Sequence, residues 1–426
     1  MKIYHYPKKQ DWPKILQRPV FENSMLEKKV QTMLEKIKAE GDKAIQEFTR
    51  QFDGVDLASH FLVSSEEIKS AVAKIPAELK AAIQQAKENI ALFHKSQQQT
   101  PEVIETMPGV KCWRKSVAIQ KVGLYIPGGT APLFSTILML GVPAKIAGCQ
   151  EIILCTPPDK NGKINDAILY TAQLVGIEKI YKIGGVQAIG AMAFGTQTIP
   201  SVYKIFGPGN QFVTTAKQLV QKYGLAIDMP AGPSEVLVLL DKTAKPAYVA
   251  ADLLSQAEHG VDSQVVMLTL DKECIALVQL EIQKQLALLP RKEIAHKALQ
   301  NSCMIALHSE KEAIDLINEY APEHLILNNV NADETARQIV NAGSIFIGAY
   351  SPESVGDYAS GTNHTLPTNG YARAYSGVSL DSFYKKITFQ KLTKKGLENI
   401  GAIVEKMAIA EHLHAHANAV RIRLEV

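Results

Sequence analysis

The stretch DLLSQAEHG, residues 252–260, carries a carboxamide at Gln256 and an imidazole at His259, three positions apart. On a helix that spacing projects both side chains from one face, close enough to grip a common ion or ligand. Gly260 is then expected just past the helix end, in the left-handed turn that glycine tolerates best. A histidine with an oxygen donor one turn away is half of a metal site; a surface helix end of ordinary polar residues is spelled the same way. The dipeptide Glu323-His324 in YAPEHLIL is a second candidate. Pro322 stops the preceding helix, and a carboxylate beside an imidazole at a strand end can hold a water and relay protons near neutral pH. A polar pair capping a strand is the plain alternative. Asp357 sits in SPESVGDYASGTNH, a glycine-rich stretch that leaves it free to turn toward a cation. Glu411, His412, His414 and His416 crowd six residues of the tail, where His412 and His416 would share a helix face at a spacing suited to a metal. Periodicity does not choose which of these imidazoles ligates.

Glycine turns supply a different chemistry. Gly184-Gly185-Val186-Gln187 and Gly207-Pro208-Gly209-Asn210 each follow an apolar run, and each can leave backbone amides and a helix N-terminus facing a phosphate. Neither matches the dinucleotide fingerprint, and only Asp228 lies near the usual distance for a ribose-binding acid. Tight strand-to-helix turns account for the same residues. GLYIPGGTAP, residues 123–132, adds a third turn, with Tyr125 able to stack or hydrogen-bond.

The elements that must hold these groups fall into three textures. Before residue 100 the chain reads as helices. Leu26, Val30, Met33, Leu34 and Ile37 keep a 3.6 period behind Asn23 and Ser24, Gly41-Asp42 breaks it, and Ser64 with Glu67 spells a capping box. From about residue 117, β-rich runs such as VAIQKVGLYIP, EIILCTPP, KIYKIGG and EVLVLLD alternate with helical stretches, the pattern of parallel βαβ units. It recurs after residue 264 in QVVMLTLD, MIALHS, HLILNN and SIFIGAY. Two α/β modules follow. Gly356 to Tyr375 reads as a long functional loop. The tail from Leu392 is helical, with too little apolar material for a core of its own, so it is expected to pack on something else, such as another subunit.

With 426 residues the chain exceeds one ordinary core, and 46 basic against 43 acidic residues leave a net charge of only +3. That balance gives no nucleic-acid stripe; Lys385-Lys386 and Lys394-Lys395 read as solvated helix faces. The N-terminus lacks a signal-peptide core, and Pro132, Gly141, Pro143 and Lys145 interrupt the longest apolar run, which excludes a membrane span there. Five cysteines in no metal-type spacing fit reduced thiols in a cytoplasm.

In order, GLYIPGGTAPLFST, GGVQAIGAMAFGT, GPGNQFVTTAK, MPAGPSEVLV, SQAEHG, APEHLIL, SPESVGDYASGTNHTLPT and AEHLHAHANAV closely resemble histidinol dehydrogenase, from about residue 20 to the C-terminus. The resemblance implies oxidation of L-histidinol through histidinal to L-histidine, the last steps of histidine biosynthesis, with two NAD⁺ reduced and one zinc ion per subunit. It implies Gln256, His259, Asp357 and His416 as zinc ligands, Glu323 and His324 as the catalytic pair, and Tyr125, Gln187 and Asn210 as NAD contacts. Ser234, His364 and Glu411 match substrate contacts, beside the zinc ligands and the catalytic pair. The implied fold is α/β: two incomplete Rossmann-like parallel-sheet domains, an N-terminal helical region and a small helical C-terminal domain. An extended segment at 1–20 precedes 21–118 with 230–378 as the first domain, 119–229 as the second, and a tail at 379–426 that swaps across a homodimer. His364, Glu411 and His416 would then come from the partner subunit.

In that reading zinc positions and polarises the substrate, His324 takes a proton in both hydride transfers, and Glu323 helps activate water for the aldehyde step. A thiohemiacetal on Cys149 or Cys155 is the rival route, although neither has a neighbouring base. A zinc hydrolase and a catalytically silent binding protein are the competing classes. No membrane or nucleic-acid partner is expected.

Overall fold

The computed structural model describes residues 1–19, 23–58, 60–128 and 131–425. The expected capping side chains of Asn23 and Ser24 lie outside the described residues, as do Gly129 and Thr130 of the third glycine turn. Fourteen strands are present among the described residues. The first seven are β1 (Lys2–His5), β2 (Val103–Met107), β3 (Val110–Ala118), β4 (Lys121–Tyr125), β5 (Glu151–Thr156), β6 (Lys179–Lys182) and β7 (Lys204–Phe206). Then come β8 (Ala226–Ile227), β9 (Glu235–Leu240), β10 (Gln264–Thr269), β11 (Cys303–Ala306), β12 (His324–Asn328), β13 (Ser344–Ile347) and β14 (Tyr384–Leu392).

Two wholly parallel sheets form the frame. One runs β1-β11-β10-β9-β12-β13 and the other β6-β5-β4-β7-β8. Each places its earliest crossover strand, β9 or β4, in the middle, with the next two strands on one side and the last two on the other. This is the half-Rossmann order, repeated. Strands covered on both faces need continuous apolar sequence rather than alternation. Accordingly β9, EVLVLL, is buried at every position. The run VAIQKVGLYIP, read as one strand, is divided between β3 and β4. Val110–Ala118 instead pairs antiparallel with β2 and β14 in a three-stranded sheet. Lys385 and Lys386 therefore lie on a strand, not on a helix face.

The helices at 23–95 pack on the second sheet, contrary to the expected grouping of 21–118 with 230–378. Val30, Leu34, Ile37, Ile45 and Phe48 join Tyr125, Ile153 and Ile189 in one core, while Ile83, Ala86 and Ile90 join Leu124, Ile137 and Leu154 in another. The apolar stripes were legible, but a stripe does not say which sheet it covers. Likewise residues 1–20 are not merely an extended lead. β1 adds an edge strand beside β11, and Trp12 inserts into the core with Leu237, Val266 and Tyr320. The capping box forms as spelled: Ser64 Oγ accepts from Glu67 N at 3.2 Å, and Glu67 Oε2 accepts from Ser64 N at 3.0 Å.

Candidate active site

Glu323 and His324 stand where β12 begins, beside the start of β9, so the N-terminal edge of the first sheet carries the acid–base pair. Glu235, the first residue of β9, organises them through its backbone. Its N–H donates to Glu323 Oε2 at 2.8 Å, and its carbonyl lies 3.1 Å from both His324 Nδ1 and Gln256 Nε2. A carbonyl only accepts, so His324 carries its proton on Nδ1 when neutral and leaves Nε2 as the basic nitrogen. The ring is stacked on Phe346, with centroids 5.9 Å apart. The Glu235 carboxylate, 2% exposed, is itself clamped: Arg18 Nε and Nη2 reach its two oxygens at 2.5 and 2.9 Å, and Asn369 N donates at 2.8 Å.

Burial works against a charged His324, but the carboxylates of Glu323 and Asp357 outweigh it and hold the imidazole pKa well above its ordinary value. Burial drives the Glu323 carboxyl upward, against the pull of His324. Asp357 Oδ1 stands 3.3 Å from His324 Nε2 as an ion pair, yet both atoms are buried without an aligned hydrogen bond. Gln256 Oε1 is also buried and without a partner. Such atoms are costly unless something else coordinates them. His259 follows the helix Pro246–Ala257, tied by its N–H to the Gln256 carbonyl at 3.3 Å. It presents surface to solvent, yet crowding by surrounding protein depresses its pKa against the opposing charge of Asp357. Gly260 is not left-handed, unlike the expectation; Glu258 ends the helix with ordinary right-handed angles.

Gln256, His259 and Asp357 thus supply an amide oxygen, an imidazole and a carboxylate around one locus. His416 does not complete it within the chain: no cluster of three or more His, Cys, Asp or Glu side chains suited to a metal exists among the described residues. His416 is exposed on the helix His414–Leu424, and Glu411 is exposed at the end of the preceding helix, Lys394–Ala410. His412 takes a left-handed conformation between the two helices, φ 61°, so it and His416 do not share a helix face. His364, expected from a second copy, instead stands in its own chain beside Asp357. Its Nδ1 donates to the Asp357 carbonyl at 2.8 Å, and its Nε2 lies 3.1 Å from Thr136 Oγ. Ser234 immediately precedes Glu235 and is half-buried.

A cavity of about 860 Å³ opens at the carboxyl ends of β4, β5 and β6 in the second sheet and reaches Asn210 beyond β7, the strand order reversing between β4 and β7. Tyr125, Gln187 and Asn210 all line it, with Asp53 from the N-terminal helical cover. Tyr125 Oη accepts the Gly185 N–H at 3.1 Å, Gln187 Nε2 donates to Asp53 Oδ2 at 3.1 Å, and Asn210 Oδ1 caps the following helix. Gly207 is obligatory here: φ is 128°, and a Cβ would fall 2.0 Å from the Tyr125 carbonyl oxygen. Asp228 is spent structurally, bound to Lys217 at 2.5 Å and to the Gly207 N–H at 2.8 Å, which removes it as a ribose ligand. Burial raises the Asp53 carboxyl to about 6. Cys149 and Cys155 are buried; burial pushes the Cys149 thiol up to about 12 and Cys155 higher still, so neither is a ready nucleophile.

The sequence reading passed over Arg18, Glu235 and Glu353. A charged residue heading an otherwise apolar run was the available signal for Glu235. Glu353 stands four residues before Asp357, one helical turn away.

The cavity at one sheet and the buried acid–base pair at the other give the two candidate sites of an α/β protein. The fold alone is shared with an acetylating aldehyde dehydrogenase from Geobacillus thermoglucosidasius at 13% identity, TM-score 0.50, over 89% of this chain and 96% of that one. The histidinol dehydrogenase family model matches residues 16–424, and the chain belongs to that family. Histidinol dehydrogenase of Bacteroides thetaiotaomicron is 59% identical over 100% of this chain and 99% of its own length. That of Haemophilus influenzae is 51% identical over 99% and 98%. The crystal structure of histidinol dehydrogenase from Elizabethkingia anophelis superimposes with TM-score 0.97 at 58% identity, covering 100% of this chain and 98% of that one.

Proposed function

We propose that this chain oxidises L-histidinol to L-histidine through histidinal, transferring two hydrides to two molecules of NAD⁺, with Zn²⁺ bound by Gln256, His259, Asp357 and, from the partner subunit of a homodimer, a second copy of His416. The observation that carries the zinc reading is the pair of buried oxygens without an aligned hydrogen bond, Gln256 Oε1 and Asp357 Oδ1, with His259 charge-coupled to Asp357. A neutral amide, a carboxylate and imidazoles are a donor set that zinc accepts. Bound there, the ion would act as a Lewis acid that positions and polarises the substrate alcohol. With Asp357 drawn to the ion and no longer holding His324 protonated, Nε2 would accept the alcohol proton as hydride leaves carbon for NAD⁺, giving histidinal and NADH. Glu323 then assists addition of water to the aldehyde. After giving its first proton to solvent, His324 would take another as the second hydride leaves the hydrate, so that alcohol, water and two NAD⁺ give carboxylate, two NADH and three protons. Tyr125, Gln187 and Asn210 would hold NAD⁺ in the cavity, while Ser234, His364 and Glu411 would orient the amino alcohol.

The incomplete donor set supports a shared site. So do the exposed apolar side chains of the tail, Ile403, Met407, Ile409, Leu413 and Ile422, and those near Asp357, Tyr350, Val355 and Tyr358. No helix among the described residues is long and apolar enough to cross a membrane; we place the enzyme in the cytoplasm with its biosynthetic reaction. Counting NADH formed per L-histidinol consumed tests the whole reading. Two is expected, with histidinal accepted as a substrate. A ratio of one, with free aldehyde accumulating, overturns it.

A further inference from the structure

Glu353 opens the helix Glu353–Tyr358 and is 1% exposed. Its Oε1 lies 2.9 Å from Ser255 Oγ, on the helix Pro246–Ala257. Ser255 is the neighbour of Gln256, and Glu353 precedes Asp357 by one turn. The contact therefore joins two helices at the level of donors that each contributes to the same locus. We infer that Glu353 is a positioning residue whose buried contact with Ser255 fixes the spacing of Gln256 and His259 against Asp357. The inference rests on the zinc reading above.

The proton inventory shows how the contact is made. Ser255 Oγ is also 2.8 Å from the Asp252 carbonyl oxygen, which can only accept. The Ser255 hydroxyl donates to Glu353 Oε1, with the Asp252 carbonyl as a second acceptor on its own helix. Burial, with Asp357 opposing a second negative charge nearby, raises the Glu353 carboxyl to about 8. Neither Glu353 nor Ser255 is a zinc donor in this reading; both act on the donors through the backbone that carries them, the kind of support whose loss costs roughly 10–100-fold in metal affinity.

The test measures Zn²⁺ affinity of the full chain directly, by competition with a chromophoric chelator, with no turnover required. Glu353→Ala should weaken Zn²⁺ about 10–100-fold. Glu353→Gln, whose amide oxygen still accepts from Ser255, should stay within about threefold of the parent. Ser255→Ala should match Glu353→Ala, and the double variant should be no worse than either, because both remove one contact. Ser255→Ala keeps the test open should Glu353→Ala not fold. Unchanged affinity in the alanine variants overturns the brace, as does a Gln variant as weak as Ala, or additive losses. Failure of the parent itself to bind Zn²⁺ overturns the zinc reading and the brace together, a result the variants alone cannot mimic.

Discussion

Removing the Arg18 guanidinium should damage a reaction centre that it never touches. Glu235 is almost wholly buried, with Arg18 bound to both of its oxygens at 2.5 and 2.9 Å. Taking about 4 Å between charge centres, the attraction is about 4 kcal/mol at an effective dielectric near 20. Breaking a buried pair by deleting one partner costs about 3–5 kcal/mol, because the remaining charge stays uncompensated. Arg18 Nη2 also donates to the Tyr320 carbonyl at 2.8 Å, so Arg18→Ala leaves a second buried group wanting. At about 2–4 °C per kcal/mol for a module of this size, the thermal midpoint should fall by roughly 6–20 °C. The catalytic consequence follows from the Glu235 backbone, which orients Glu323 through its N–H and both His324 and Gln256 through its carbonyl. A displacement of about 1 Å in such a constellation costs about 10²-fold, so kcat should drop by that order in the protein still folded at 25 °C. Arg18→Met with Glu235→Met buries no charge and should melt above Arg18→Ala. Scanning calorimetry and steady-state NADH formation read both effects. Arg18→Ala melting within about 2 °C of the parent at full turnover would refute the chain of reasoning from clamp to catalyst.

Other consequences are checked more briefly. Replacing Cys149 and Cys155 together by alanine should leave oxidation of histidinal at about half the parent rate or better, since burial holds both thiols protonated; loss of that step alone would restore the thiohemiacetal route. Asp53, raised from 3.8 to about 6, penalises the folded state once ionised. Wild-type stability should therefore decline as pH rises from about 4 through about 6, and Asp53→Asn should melt higher at pH 7.5. Discounted for partial exposure, the gain is about 1 kcal/mol, vanishing near pH 4; equal profiles in differential scanning fluorimetry would contradict it. Finally, on the shared-site proposal, His259→Ala and His416→Ala chains should each be nearly inactive on their own. Exchanged by reversible dissociation they should recover roughly a quarter of wild-type activity, because about half the pool is heterodimer with one intact site. Exchange proven by mass spectrometry without recovery means that each site is built within one chain.

What could be read from the sequence was whatever a local pattern dictates. β9, β10, β11 and β12 were spelled by apolar runs that only a sheet covered on both faces can bury, and the Ser64–Glu67 box is a contact between residues three apart. What escaped depends on partners distant in the chain. β2 and β14 lie far apart in the chain, and their mostly exposed sequences carry no buried-strand pattern; they are placed by pairing with β3. The helices at 23–95 presented clear stripes, but choosing their sheet is a long-range decision. The same division runs through the site. Gln256 with His259, and Glu323 with His324, were visible as close spacings of chemical groups. Arg18 binds Glu235 across 217 positions, and Ser255 meets Glu353 across 98, with no local signature at either end. Spacing finds groups that meet substrate or metal from a single element, whereas the residues that hold those elements in register are set by tertiary packing. The clamp at Glu235 ties the strand that orients Glu323 and His324, and on the inference above the contact at Glu353 does the same for the two helices that carry Gln256 and Asp357.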